Sequence, residues 1–558
     1  MTIQSLLKNA TLPNEPWLID HLRIASEASQ VIVNDPYLDV RASHSQLWAD
    51  VLQTRTRLGD ELSPFLQNGF FKEPLHICVL SELNYEFVVG ALAVLALGGV
   101  LVSLPSSLSP RETLHFIRNC KLKCILTGLK YIPKAGQIQN CSTSVHVIPI
   151  CIKTNAPETF SALQLQVDDS AAIPSTWPGL VVFSSGSTGI TKGVVHSRRL
   201  LNSFPAVKPN SGTVAHRPIS WAGGTVKILM AIIKGQRLEI IDPNLGPEEF
   251  WNRFREGTVT NMFGTVFLWQ ILVQYFQEII SRLPLEDRQR YLDGVQRLEK
   301  PQLGGCSPPL QLLRDWKNIT GRSPYVGYGS TEMCITLLMT DPDNDDLTLE
   351  RCLEKPCLDG STIKLSEGDR GEILIKQDFT FMGYLNNEIA IDTLFDEDGF
   401  YRSGDLAHMV GDQFIFDGRI SIDFIKTIGG PVPVLQLEQE ILKLPYVVEA
   451  YVLPVPDRTF GLRTGVLVRF QSPTEHQQSL RTLRADLAHS LPPYSLPTAL
   501  RILQDHETIS VTDSGKIAKQ TTLERFFPAS LDRELRADGA VELWDIVSPD
   551  GLRKTISS

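Results

Sequence analysis

The chain has 558 residues, of which 42% are hydrophobic and 21% are charged, and its formal net charge is −10. A chain of this length exceeds what one hydrophobic core supports, so we expect two or more domains. The acidic balance, without dense runs of lysine and arginine, argues against a nucleic-acid-binding protein. No stretch is long and apolar enough to predict a membrane span.

The first readable elements alternate between strands and helices. Residues 75–80 (LHICVL), 99–104 (GVLVSL) and 123–128 (KCILTG) have the short apolar runs of buried strands. Residues 84–97 and 109–120 lie between them and predict helices, the second started by a capping box of Ser109 and Glu112. This alternation predicts a parallel sheet covered by helices.

A second alternating block follows residue 235. It predicts strands at 236–242 and 259–264 and helices at 246–257 and 265–283. From about Gly371 the pattern changes to short runs of alternating apolar and polar residues, which are separated by glycine turns. These runs predict an antiparallel β region.

The fold class predicted from these elements is α/β. We expect a large N-terminal domain, residues 1–417, with two helix-covered, mostly parallel sheets and a β-barrel-like region. Helix-like and strand-like stretches follow a boundary near Asp417 and Gly418, so we expect an α+β C-terminal domain at residues 418–558.

A loop rich in glycine and hydroxyl side chains spans residues 183–193, FSSGSTGITKG. It follows a predicted strand and precedes GVVHSRRLL, which looks like the start of a helix. A strand, such a loop and a helix form a natural anion site, because backbone N–H groups converge there and Lys192 adds charge. The Walker pattern fails, since the loop ends in Thr-Lys-Gly. By itself the loop is compatible with either a phosphate site or a plain turn.

Four further stretches carry side chains suited to a nucleotide. In GYGSTEM, Tyr328 can stack on a base, Thr331 can meet a phosphate and Glu332 can hold Mg²⁺. In YRSGDL, Asp405 can accept both hydroxyls of a ribose. Two later stretches carry cations, Arg419 with Lys426 and then Lys516. Each stretch alone is equally compatible with a turn or a solvated surface, but their joint occurrence in this order favours a nucleotide site.

Taken in order, these stretches resemble the adenylate-forming superfamily of acyl-CoA synthetases, peptide-synthetase adenylation domains and luciferases. The family loop reads roughly S/T-S-G-S/T-T-G-x-P-K-G, against SSGSTGITKG here. GGCSPP, YGSTE, YRSGD, a GR…D.IK..GG segment and a late GK follow in family order, over about residues 74–523. The resemblance implies a small C-terminal domain that rotates between adenylation of a carboxylic acid and attack of a thiol.

The resemblance also implies residue roles. Lys516 would neutralise the attacking carboxylate and the triphosphate, with Thr331 and Glu332 as catalytic partners and Glu332 as the Mg²⁺ ligand. The implied ATP contacts are Ser184, Ser185, Gly186, Ser187, Thr188, Gly189, Lys192, Gly304, Gly305, Cys306, Tyr328, Gly329, Ser330, Asp405 and Arg419. The implied acyl pocket comprises Trp221, Gly223, Gly224 and Lys227, and the implied coenzyme A side comprises Lys426, Gly429 and Gly430.

Four departures from the family pattern stand out, and two of them, at Trp221 and after it, bear on the substrate. Thr191 replaces the loop proline, and Trp221 stands where ligases often carry a histidine, which weakens a malonate assignment. No aspartate follows Trp221 as in amino-acid-activating domains, which disfavours an amino-acid substrate. The segment after Arg419 has one more residue before Asp423 than the commonest family form.

The resemblance therefore implies an ATP- and Mg²⁺-dependent ligase that joins a carboxylic acid to coenzyme A. We expect a cytoplasmic protein, because the N-terminus lacks a secretory pattern and the nine cysteines are scattered, and we expect a monomer or homodimer. Two alternatives stay open. An acyl-AMP ligase would pass its acyl group to a carrier protein or an amine, and a non-catalytic nucleotide-binding protein would bind ATP without releasing pyrophosphate.

Overall fold

The computed structural model describes most of the chain. The described residues are 11–27, 31–141, 145–152, 166–184, 192–208, 210–242, 245–334, 336–340, 352–353, 360–377, 381–385, 393–420, 423–427, 430–457, 461–471, 478–511, 517–527 and 541–544. They fall into two compact units. The first lies within Met1–Leu347, Glu354–Thr362 and Ile375–Tyr401, and the second within Thr348–Leu353, Ile363–Leu374 and Arg402–Ser558.

A seven-stranded sheet forms one half of the first unit. In order across the sheet its strands are Gly383–Tyr384, Lys192–Ser197, Pro178–Ser184, Val100–Ser103, His76–Leu80, Cys124–Thr127 and His146–Pro149. The last five are parallel, whereas the first two pair antiparallel. The parallel sheet predicted for this part of the chain is confirmed.

An eight-stranded sheet forms the other half. Its strands, in order, are Leu338–Met339, Tyr325–Tyr328, Lys300–Gly304, Asn261–Thr265, Gly212–Ala215, Arg237–Ile240, Val31–Asp35 and Val40–Ser43. The six inner strands are parallel and the two edge strands are antiparallel. Parallel strands place their carboxyl ends at one edge, where open α/β sheets bind ligands.

Helices of the first unit cover these strands. They are Pro16–Glu27, His44–Glu61, Tyr85–Ala96, Pro110–Asn119, Ile132–Cys141, Arg199–Asn202, Ala222–Ile233, Pro247–Glu256, Val266–Glu278, Leu285–Val295 and Leu310–Thr320. Short 3₁₀ turns add Ser63–Phe65, Leu129–Tyr131 and Ile280–Arg282, and two small strand pairs join Thr11–Pro13 to Gln166–Asp168 and Leu66–Gln67 to Phe70–Phe71. Every residue of Tyr85–Ala96 is buried, because the helix is apolar on all sides.

Three tryptophans pack beneath the carboxyl ends of the eight-stranded sheet. The rings of Trp269 and Trp316 meet edge to face at 4.4 Å, and Trp251 lies 6.2 Å from Trp316. Trp269 Nε1 donates to the Gln302 carbonyl at 3.2 Å, which ties the helix Val266–Glu278 to the strand beside it. Aromatic packing of this kind gives the strand ends a rigid base.

The second unit contains two larger sheets. The first, ordered Cys352–Leu353, Gln413–Arg419, Tyr401–Val410, Arg370–Lys376 and Thr362–Leu365, lies almost entirely in this unit and includes the antiparallel pairing predicted from Gly371 onward. The other is ordered Val447–Asp457, Gly461–Phe470, Ala499–Ile502 and Val541–Leu543. The second unit also contains a two-stranded hairpin, formed by Phe424–Thr427 and Gly430–Pro433. Its helices are Val434–Leu442, Leu480–Leu487 and Lys519–Phe526, with a 3₁₀ turn at Pro493–Ser495. The domain boundary at 417/418 falls inside a strand of this unit and stays a prediction.

Within the described part of the chain, no helix combines the length and apolar character that a membrane crossing requires.

The predicted capping box at Ser109 is present and gives a first testable consequence. Glu112 N donates to Ser109 Oγ at 3.3 Å, and Ser109 N donates to Glu112 Oε2 at 2.7 Å. Ser109→Ala is expected to lower the free energy of unfolding by about 1 kcal/mol, because an orphan N–H at the helix start loses its acceptor. Urea titration measures the change, with exposed Ser107→Ala as the matched control. Equal effects of the two substitutions would contradict the capping role.

Candidate active site

The glycine-rich loop joins two strands rather than a strand and a helix. Lys192–Ser197 pairs antiparallel with Pro178–Ser184, and Ser184 lies opposite Lys192. The predicted helix after the loop is therefore wrong. Val194 and Val195 are β-branched and sit between two paired strands, which favours extended backbone. The anion site consequently gains no helix N-terminus at this point and depends on Lys192 and on the loop itself.

Part of the predicted loop site lies outside the described residues. This concerns Ser185, Gly186, Ser187, Thr188 and Gly189, whose roles stay predictions.

Lys192 and Glu332 are linked through Tyr384. Lys192 Nζ lies 5.1 Å from the centroid of the Tyr384 ring, within cation–π range. The Tyr384 hydroxyl donates to Glu332 Oε1 at 2.8 Å. Tyr384 thus contacts both a lysine and a carboxylate. These are the two charges expected around a metal-bound phosphate. Sequence reasoning missed Tyr384, because residues 381–385 (FMGYL) were interpreted only as one of the short β runs after Gly371.

The turn that carries Thr331 and Glu332 is tied to the same hairpin. His196 is fully buried, and desolvation lowers its pKa from 6.5 to about 4, so the ring is neutral at pH 7. Its Nε2 therefore carries the proton and donates to the Thr331 carbonyl at 2.9 Å. Cys334 N donates to the Ser330 carbonyl at 3.0 Å and closes the turn. His196 was also missed, because a helix was predicted there.

Glycines at two neighbouring strand ends allow a close backbone approach. Gly304 lies opposite Gly327 in the parallel pair, and a Cβ on Gly304 would come within 2.7 Å of the Gly327 carbonyl oxygen. Gly305 has φ +94°, a conformation that favours glycine, and Cys306 beyond it is exposed. Tyr328, the last residue of its strand, leads directly into Gly329 and Ser330. The predicted adenine-side segments thus lie at one edge of the eight-stranded sheet.

The predicted acyl-pocket residues lie at the start of the helix Ala222–Ile233. Trp221 is the N-cap, and Gly223, Gly224 and Lys227 line a pocket beside this helix. Arg217 lines the same pocket and was missed, because a single arginine in AHRPIS gives no sequence signal of its own.

The second unit holds the predicted ribose residues together. Asp405 and Arg419 lie opposite each other on antiparallel strands. Arg419 Nε donates to Asp405 Oδ1 at 2.7 Å and Nη2 donates to Oδ2 at 3.3 Å. Two bonds from one guanidinium fix the orientation of the carboxylate.

The coenzyme A side and the late lysine are only partly described. Lys426 is exposed on the hairpin strand Phe424–Thr427, opposite Pro431, and Gly430 has φ +131°. Gly429 and Lys516 lie outside the described residues, although Val511 and Ile517 on either side of the late segment pair as an antiparallel bridge.

The donor set at Glu332 suits Mg²⁺ held jointly with a nucleotide. Within the described ranges, no three histidine, cysteine, aspartate or glutamate side chains cluster as a protein-only metal site. Mg²⁺ commonly takes one or two carboxylates together with substrate phosphates and water. A single carboxylate near Lys192, which is predicted to bind phosphate, fits that pattern.

Comparison with known proteins assigns the chain to a family. The model of the family described as AMP-binding enzyme matches residues 48–385. The acyl-CoA ligase oryP of Aspergillus oryzae is 32% identical over 526 residues, which cover 93% of each chain. A malonate–CoA ligase of Arabidopsis thaliana is 25% identical over 479 residues, or 80% of this chain and 77% of that protein.

Solved structures show the same fold. ATP-bound MatB from Rhodopseudomonas palustris superposes with a TM-score of 0.72 at 18% identity, covering 91% of this chain and 98% of that one. The family match spans more than half of the 558 residues. The chain belongs to the AMP-binding enzyme family.

Proposed function

We propose that the chain is an AMP-forming acyl-CoA ligase. In the first step a carboxylate oxygen bonds to the α-phosphorus of ATP, and the bond from that phosphorus to the bridging oxygen breaks and releases pyrophosphate. In the second step the sulfur of coenzyme A bonds to the acyl carbon, the thiol proton is lost, and AMP leaves with the oxygen contributed by the acid. The observation that carries the proposal is the Lys192–Tyr384–Glu332 arrangement at the turn after Tyr328.

The charges of Lys192 and Glu332 suggest how the triphosphate of ATP would be bound. Lys192 would neutralise the β- and γ-phosphates, together with Ser184 and the loop residues predicted above. Glu332 would hold Mg²⁺, which supplies further neutralisation of the triphosphate when bound. The Tyr384 hydroxyl, by donating to Glu332, would fix the direction in which that carboxylate points.

The remaining roles rest on the family pattern. Thr331 would bind near the α-phosphate, and Tyr328 would stack on adenine. Residues 304–306 would contact the edge of the adenine ring. Lys516 would stabilise the charge that develops during adenylation. Lys426, Gly429 and Gly430 would line the path of coenzyme A.

Coenzyme A is favoured as the acceptor over a carrier protein or an amine. The relatives at 32% and 25% identity are both named CoA ligases. Purified protein with ATP, Mg²⁺ and a panel of carboxylic acids, with and without coenzyme A, tests the choice by mass spectrometry of products. Acyl-CoA and AMP are expected. Acyl-AMP that accumulates unchanged in the presence of coenzyme A would assign a different acceptor.

Asp405→Asn is expected to raise the KM for ATP by about 10- to 100-fold with little change in kcat at saturating ATP. The ribose hydroxyls lose a charged acceptor, and a hydrogen bond to a charged group contributes about 1.5–3 kcal/mol. Steady-state kinetics at varied ATP measures the change.

Asp417→Asn is the matched control for this substitution. Asp417 lies two residues before Arg419 on the same strand and accepts a bond from His408 Nδ1 at 2.9 Å. Its replacement should leave the KM for ATP unaltered. An unchanged KM in Asp405→Asn as well would contradict the ribose assignment.

A further inference from the structure

The pocket beside the helix Ala222–Ile233 combines apolar walls with two cations. Val214, Leu238 and Phe263 supply apolar lining, and Arg217 and Lys227 supply positive charge. Among the described residues that line it there is no aspartate or glutamate. Both cations are half-buried. A pocket for a plain hydrocarbon acid would not require them, because partly desolvating a cation without a counter-ion costs free energy.

The position of the Arg217 guanidinium is fixed by its surroundings. It lies 5.4 Å from the centroid of the Trp221 ring and 4.9 Å from that of Phe263. A Cβ at Gly223 would approach Arg217 Nη1 to 2.3 Å, so glycine at this position makes room for the guanidinium. Gly224 is equally constrained, since a Cβ there would lie 2.1 Å from the Pro218 carbonyl oxygen. Glycine at position 223 therefore leaves the space that the guanidinium occupies, and glycine at position 224 allows the helix to start close to the Pro218 carbonyl.

Arg217 carries a charge that the described protein does not balance. Burial lowers its pKa from 12.5 to about 10, which leaves it protonated at neutral pH. Its buried Nε has no hydrogen-bond partner in the part of the chain that the structure describes. Arg198 in the same unit is fully buried and donates from Nε and Nη2 to both oxygens of Glu15, at 2.9 and 2.6 Å. The half-buried Arg217 lines a pocket whose described lining offers no such carboxylate.

Lys227 adds a second positive charge at the same wall. Its Nζ lies 5.1 Å from the centroid of Phe263, the ring that also contacts Arg217. An anion bound at this wall would be attracted by both side chains. His216 adds no third charge, because burial and the neighbouring Arg217 lower its pKa to about 3.

We propose that Arg217, assisted by Lys227, binds a second carboxylate of the acid substrate, so that the acid activated by this chain is a dicarboxylic acid. The inference rests on the proposed function. The reacting carboxylate loses its negative charge when it becomes the acyl-AMP, whereas a second carboxylate stays anionic through both steps. A fixed cation in the pocket therefore retains substrate and intermediate alike.

Matched acids of equal chain length test the inference: succinate against butyrate, glutarate against pentanoate, and adipate against hexanoate. With unmodified protein we expect kcat/KM for at least one diacid to exceed that of its monoacid by about 30-fold or more, as for a charged group that finds its partner in a desolvated site. In Arg217→Met the diacid-to-monoacid ratio should fall by about the same factor. Lys234→Met, at the C-cap of the same helix and outside the pocket lining, should leave the ratio unaltered.

Gly223→Ala gives an independent variant, because its Cβ displaces the guanidinium and should lower the same ratio. Thermal unfolding of each variant identifies any that fails to fold, and the comparison of acids on unmodified protein needs no variant. If no diacid of the panel is preferred over its monoacid while acyl-CoA still forms, the inference is wrong and the proposed function stands. If no acid releases pyrophosphate, the proposed function fails and the inference with it. Equal losses for diacid and monoacid in Arg217→Met would assign Arg217 a purely structural role.

Discussion

Replacing Lys516 with alanine is expected to lower the rate of acyl-AMP formation by about 10²- to 10³-fold, while thioester formation from supplied acyl-AMP is largely retained. A carboxylate approaching a triphosphate meets strong repulsion, and a positioned cation offsets it only while charge is shifting between the two. The second step starts from an uncharged carbonyl and makes no such demand. Acid-dependent exchange of labelled pyrophosphate into ATP measures the first step, and acyl-CoA formed from synthetic acyl-AMP measures the second.

Lys443→Ala is the control for this substitution, because Lys443 is an exposed lysine of the same unit. It should leave both rates near those of the unmodified protein. Equal losses in both steps for Lys516→Ala would contradict the role assigned to Lys516, which rests on its place in the family pattern.

Acidification is expected to destabilise the first unit steeply between about pH 6.5 and 4.5. Burial lowers the pKa of His21 and His216 to about 3 and that of His44 and His196 to about 4. In the unfolded chain the same imidazoles titrate near 6.5, so the unfolded state takes up protons that the folded state cannot. Stability is therefore complete above about pH 6.5 and is lost as the pH falls toward the folded pKa values. At pH 4.5 each imidazole costs about 2 kcal/mol, a large fraction of an ordinary domain's stability.

Urea unfolding followed by tryptophan fluorescence measures this dependence, since seven of the eight tryptophans lie in the first unit. His21→Gln removes one buried imidazole and should reduce the slope of stability against pH. His146→Gln, at an exposed position, is the matched control and should leave the slope unaltered. A slope in His21→Gln equal to that of the unmodified protein would contradict the assignment of proton uptake to that buried ring.

Elements with strong local signals could be predicted from the sequence. The helix Tyr85–Ala96 is apolar apart from Glu86 in its first turn, and the helix Pro110–Asn119 begins with a capping box, so residues within a few positions determine both. The alternation of strands with such helices was enough to predict the parallel sheets. The order of the motifs predicted the family, since each segment of the site is short and contiguous in the chain.

The hairpin around Lys192 could not be predicted in the same way. Strand Lys192–Ser197 pairs on one side with Pro178–Ser184 and on the other with Gly383–Tyr384, which is far away in the chain. A local reading of GVVHSRRLL does not contain that second partner. The local pattern therefore favoured a helix, and pairing with a strand far away in the chain produced a strand instead.

The site residues that sequence reasoning missed have a common character. Each of them contacts a residue that lies elsewhere in the sequence. Tyr384 donates to Glu332, His196 donates to the Thr331 carbonyl, and Arg217 lies against Gly223. None belongs to a motif with a fixed spacing, so only the fold reveals that His196 supports Thr331 or that Gly223 accommodates Arg217.

The most direct test of the account uses an acid labelled with ¹⁸O in its carboxylate, together with ATP, Mg²⁺, coenzyme A and purified protein. If the carboxylate attacks the α-phosphorus, one labelled oxygen stays with the nucleotide when the thiol displaces it, and mass spectrometry should find a single ¹⁸O in AMP. Pyrophosphate should carry no label. Labelled inorganic phosphate with ADP as the nucleotide product, or unlabelled AMP beside acyl-CoA, would contradict an acyl-adenylate intermediate.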